Sequence, residues 1–191
     1  MKTIDYRIEF FDYWHVSSGL SSSTYADIVV NKTRNGLPFI PGKTLKGLLR
    51  EAAEVIHALH PGELVTEEFI QDVFGEEPTK EQIEMEGVTK EAKCFFGSAH
   101  LSPYLEKTLT EADKPFLYSV LASTKIDDHG LAAKGTLRQL EVTIPLTLYS
   151  RIDGFPQESG YEEQLKYCFS WIKRMGLNRS RGLGRCQFSL L

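Results

Sequence analysis

The chain has 191 residues, 41% hydrophobic and 25% charged, a balance typical of a folded domain and not of a disordered polymer. Lysine and arginine number 22 against 26 acidic residues, a net charge of −4, so any nucleic-acid surface must come from local clustering rather than total charge. There is no apolar run near the roughly 20 residues of a membrane span and no secretory leader pattern. Cys94, Cys168 and Cys186 are too irregularly spaced for a disulfide framework, and together these features predict a cytoplasmic protein with no membrane partner.

Ile4, Tyr6, Ile8 and Phe10 alternate with polar residues, the period of a half-buried first strand. A polar stretch, Ser17 to Thr24, precedes the short apolar run Ile28-Val29-Val30, a turn at Asn35-Gly36, and a loop punctuated by Pro38, Pro41 and Gly42. From Lys43 the period changes: Leu45, Leu48, Leu49, Ala52, Ile56 and Leu59 predict an amphipathic helix that Pro61-Gly62 ends. Residues 61–115 are rich in Glu and Lys, with short helical patterns at Glu67–Phe74 and Lys80–Glu86, and are expected to be an insertion without a core of its own.

Phe116–Ile126 and Leu137–Ile152 read as two strands of a hairpin turning at Asp127-Asp128-His129-Gly130. A second helix is expected over Glu162–Met175 and a last strand over Arg185–Leu191. The resulting order, strand, helix, strand, strand, helix, strand, predicts an α+β chain of one domain, residues 1–191. Its core is a ferredoxin-like, RRM-like βαββαβ unit.

Two segments carry chemistry. Gly176-Leu177-Asn178-Arg179-Ser180-Arg181-Gly182-Leu183-Gly184-Arg185 combines glycines, which let backbone approach a ligand, with the planar donors of Arg179, Arg181 and Arg185, suited to phosphate oxygens; Asn178 and Ser180 add polar contacts. Pro41-Gly42-Lys43-Thr44 opens the first helix, where N–H groups favour an anion, and Lys43, Lys46 and Arg50 follow at i, i+3 and i+7 opposite the leucines. Taken singly, each is equally readable as a solvated turn or a polar face.

In this order, the Pro38–Arg50 segment, Cys94-Phe95-Phe96-Gly97-Ser98-Ala99, the Lys125–Arg138 hairpin running into Glu141-Val142, and the Gly176–Arg185 loop resemble the RAMP superfamily of CRISPR-associated proteins, in particular the backbone subunit of type III effector complexes. The resemblance implies a subunit that grips guide RNA through its sugar-phosphate backbone and assembles with other effector subunits, including copies or paralogues of itself. It also implies a thumb at about 124–138, with Lys125, Ile126, Asp127, His129 and Lys134, which interrupts the duplex between guide and complementary target RNA.

Three roles stay open. The resemblance places a cleavage carboxylate near Asp27, in the stretch where Asn31 and Lys32 depart from the family's pattern, and cleavage there implies Mg2+ or another divalent cation and endoribonuclease activity. His15 is the candidate acid or base of a stand-alone, metal-independent guide-processing ribonuclease. The third role is a non-catalytic guide-binding subunit. His57, His60 and Cys94 make only a weak metal pattern, without a CxxC or HxxxH pair, and no RRM-type aromatic motif predicts base stacking on an open sheet face.

Overall fold

The computed structural model describes residues 1–17, 26–76 and 92–191. Strand β1 (Lys2–Phe10) buries Ile4, Tyr6, Ile8 and Phe10 as its alternation predicts. It is followed by α1 (Gly42–Leu59), α2 (Glu67–Phe74), β2 (Phe95–Phe96), α3 (Pro103–Thr108), β3 (Tyr118–Ser123), β4 (Arg138–Thr143), β5 (Thr147–Phe155), α4 (Tyr161–Trp171) and β6 (Cys186–Leu190). The main sheet runs β2-β5-β1-β6 with antiparallel neighbours throughout. Counted along the chain, its strands stand in the order second, third, first, fourth, which is the ferredoxin-like arrangement. Strands β3 and β4 form a separate two-stranded sheet.

The second core strand is therefore not Phe116–Ile126. It is Phe95–Phe96, inside the segment expected to be an insertion, paired with Asp153 and Ile152 of β5. Two residues are too few to show a period, whereas β3 is long enough to look like a core strand. The strand expected over residues 137–152 is also two: Pro145 has no N–H to continue a ladder, and the chain turns there from β4 into β5.

The same insertion contributes to the core. Helix α2 starts at Thr66, whose hydroxyl accepts the Phe69 N–H at 3.2 Å, and its Phe69 and Phe74 are buried. Phe74 stacks on Phe96 with ring centroids 5.5 Å apart, and Phe69 meets Tyr161 of α4 edge-on at 5.3 Å. Burial of Leu45, Leu49, Ala52, Ala53 and Ile56 fixes the inner face of α1. The helical pattern at Lys80–Glu86 lies outside the described residues. Among the described residues no helix is long and apolar enough to cross a membrane.

Helix α4 stops four residues before the expected Met175. Beyond it the chain becomes extended and pairs with the start of β6: Met175 N–H donates to the Gly184 carbonyl at 3.0 Å, and Cys186 N–H to the Lys173 carbonyl at 3.0 Å. These backbone bonds replace the helical ones and give the following loop a fixed neck.

Candidate nucleic-acid interface

The glycine-rich loop projects from that neck. Gly176 and Gly184 have φ of +90° and +70°, and a Cβ on either would lie 2.2 Å from the His15 carbonyl oxygen or 2.0 Å from that of Met175. Only glycine satisfies both the conformation and the close approach. Leu177 N–H donates to the His15 carbonyl at 2.9 Å and Gly184 N–H to that of Tyr13 at 2.8 Å, so the loop is docked on the chain leaving β1. A 3-10 turn, Arg179–Arg181, forms its tip, with the Asn178 carbonyl accepting from Arg181 N–H at 2.8 Å.

Arg179, Ser180, Arg181 and Arg185 are exposed, while Asn178, at φ +58°, serves the turn itself. The Arg185 guanidinium lies over the Phe11 ring and 3.5 Å from Asp12, which offsets part of its charge. Arg179 shares a groove of about 190 Å³ with Leu48, Glu51 and Val55 of α1. The fold thus brings the glycine-rich loop and the first helix together.

At the start of α1 two of the N–H groups expected to favour an anion are already paired. Gly42 N–H donates to Ser98 Oγ at 3.2 Å, and Thr44 N–H to the Pro41 carbonyl at 3.0 Å. Ile40 and Ala99 exchange backbone hydrogen bonds at 3.0 and 2.9 Å, and a Cβ on Gly42 would lie 2.0 Å from the Phe96 carbonyl oxygen. The Pro-Gly and Phe-Gly-Ser motifs, 56 residues apart at the Gly42–Ser98 bond, are therefore halves of one cap. Along the helix Lys43 is exposed, Lys46 is half-buried, and Arg50 is tied to Glu54 at 2.7 Å. Between them Gly47 is exposed and a Cβ there would meet nothing.

The predicted thumb is the β3–β4 hairpin with its tip. Asp127 Oδ1 accepts the N–H groups of His129 and Leu131, each at 2.9 Å, and Ala133 N–H donates to the Lys125 carbonyl at 2.8 Å. Asp127 is thus an Asx-turn residue rather than a free contact. Lys125, His129 and Lys134 are exposed, as are the apolar Ile126, Leu131 and Leu137.

The hairpin is fastened to the core along β4. Trp14 and Thr143 exchange backbone bonds at 3.0 and 2.8 Å, and Trp14 Nε1–H donates to the Ile144 carbonyl at 3.0 Å. Asp27 N–H donates to the Gln139 carbonyl at 2.9 Å, while Gln139 N–H donates to Asp27 Oδ2 at 2.7 Å. Glu141, 1% exposed, accepts from Val30 N–H at 3.0 Å and from Lys32 Nζ at 2.6 Å. Lys32 in turn lies 4.0 Å from the centre of the Tyr118 ring. In the sequence Glu141 figures only at the end of the hairpin segment, with no role of its own; the signal was a charge between Leu140 and Val142 in a strand.

His15 is fully buried, contrary to what a general acid or base needs. Its Nδ1 lies 2.6 Å from the Glu141 carbonyl, an acceptor, so Nδ1 carries the hydrogen, and Nε2 is enclosed with no partner among the described residues. Burial is the main cause that holds its pKa below the usual imidazole value. In this arrangement the ring presents no surface to an RNA phosphate.

The metal candidates stay apart. His57 Nδ1 bonds the Val65 carbonyl at 2.8 Å, His60 is exposed, and burial pushes the Cys94 thiol up to about 12, away from the thiolate a metal requires. Among the described residues no three His, Cys, Asp or Glu side chains gather for a metal. One Asp27 oxygen is already committed to Gln139. The described residues do not build a divalent-cation site around Asp27.

The profile of the RAMP superfamily matches residues 7–187. The chain belongs to the RAMP superfamily. No curated protein sequence matches it, but solved structures do. A chain of the type III-B Cmr-beta complex bound to cognate target RNA superposes with a TM-score of 0.69 at 12% identity, covering 100% of this chain and 97% of that one. A chain of the same complex in its apo state gives 0.66 at 15%, covering 99% and 97%. A type IV-B CRISPR complex chain gives 0.67 at 14%, covering 100% and 90%. At such identities the likeness is one of fold, and it extends over the whole RAMP chain.

Proposed function

We propose that this RAMP protein is a subunit of a CRISPR effector complex that holds guide RNA by its backbone and presents it to complementary RNA, without cutting either strand itself. The observation that carries the reading is the braced glycine-rich loop: a fixed neck holds Arg179 and Arg181 in solvent, Arg179 beside α1. Cations on a fixed scaffold grip any sequence, and base pairing supplies specificity. The exposed apolar tip of the β3–β4 hairpin suits insertion between bases. Asp27 braces that hairpin, and His15 supports the loop from behind.

The test is binding of the full chain to unrelated single-stranded RNAs over a range of salt. The proposal expects affinities that do not depend on sequence and fall with salt. Arg179→Ala and Arg181→Ala should each lower the logarithmic salt slope by about 0.7, the value for one lost phosphate contact on a single strand. Unchanged slopes in both variants would remove the loop from the interface.

A further inference from the structure

Trp171 ends α4 with 47% of its surface exposed, whereas the only other tryptophan, Trp14, is fully buried. A large exposed indole at a helix end is costly to leave in water, and its surroundings are not those of a protein core. It lines the groove of about 190 Å³ that Val55 and Leu48 floor from α1 and that Arg174 and Arg179 wall from the glycine-rich loop and its neck, with Glu51 as the acidic group there. Arg174 and Arg179 are both exposed. Planar apolar surface next to guanidinium groups is what a single-stranded nucleotide needs: a face for the base and cations for the phosphates on either side.

We infer that Trp171 is a stacking platform for one unpaired base of bound RNA, which Arg174 and Arg179 hold in place by its flanking phosphates. The inference rests on the RNA-binding reading of the glycine-rich loop and adds a base contact that is blind to sequence, because every base presents a π-face. The excess of cations over the single acid favours RNA over a protein partner in this groove.

The two tryptophans make the test direct, since Trp14 is shielded and Trp171 is the fluorophore a ligand can reach. The full chain is titrated with a short oligoadenylate and with an abasic ribose-phosphate chain of equal length. Expected are saturable quenching by oligoadenylate, none by the abasic chain, a Kd raised roughly 5- to 150-fold in Trp171→Ala, and near-normal affinity in Trp171→Phe. Stacking carries no charge, so Trp171→Ala keeps the full salt slope, which Arg179→Ala lowers by about 0.7. RNA binding without quenching, with Trp171→Ala as tight as wild type, overturns the stacking site and leaves the backbone grip standing. Trp171→Ala that binds RNA normally but fails to join partner subunits overturns it in favour of a protein contact. No RNA binding by the wild-type chain overturns both readings.

Discussion

Glu141 shows how one side chain ties the candidate site to the fold. Its carboxylate is buried and held by the Val30 N–H and by Lys32, while its own carbonyl accepts the His15 Nδ1–H. A buried carboxylate that loses its cation keeps the desolvation cost without the compensating charge. Lys32→Met should therefore lower stability by about 3 kcal/mol, read from urea unfolding, and Glu141→Gln combined with it should recover part of the loss. His15 sets a pH dependence of definite sign. Its pKa is lowered in the folded chain, so as pH falls below about 6.5 the unfolded state takes up the proton first and stability drops. The drop runs from about pH 6.5 down to the lowered folded value, with a slope of up to about 1.4 kcal/mol per pH unit. His15→Asn, which keeps an N–H for the Glu141 carbonyl, should flatten that part of the profile in thermal unfolding measured between pH 7 and 5. Neither residue's role was legible in the sequence, because both depend on β4 lying against the chain after β1.

At the scale of elements, the first helix and the two motifs around it were legible as elements, and their contact was not. Leucine spacing identified α1, and the short helical pattern at Glu67–Phe74 predicted the span of α2. The meeting of Gly42 with Ser98 is a long-range contact that no local pattern encodes. Strand β2 escaped notice because a two-residue strand gains its place from β5 and from Phe74 stacking on Phe96, not from its own periodicity. Helix α1 also offers a test that separates stability from binding. Gly47 sits mid-helix with room for a Cβ, so Gly47→Ala should stabilise the fold by up to about 1 kcal/mol. If RNA passes close to that face, the same methyl group lowers RNA affinity. A raised Tm with unchanged affinity would take Lys43 and Lys46 out of the interface.

For the whole molecule, the four motifs in order identified the family and its fold even though net charge pointed away from nucleic acid. What order alone did not supply was the division of labour among the motifs: the Pro-Gly and Phe-Gly-Ser segments cap and pack, Asp27 fastens the hairpin, and the arginine loop faces solvent on a fixed neck. Trp171 was passed over because it lies off the apolar face that Leu165, Phe169 and Ile172 mark in the sequence, and a lone aromatic at a helix end carries no pattern of its own. The central claim is a subunit that grips guide RNA and does not cut, and the most direct measurement reconstitutes the protein with guide RNA and partner subunits and adds complementary RNA with and without magnesium. The account predicts stable assembly and no cuts from this subunit, with Asp27→Ala weakening the hairpin's anchorage and leaving the RNA pattern unchanged. Magnesium-dependent cuts at regular spacing that vanish in Asp27→Ala while guide binding persists would contradict it.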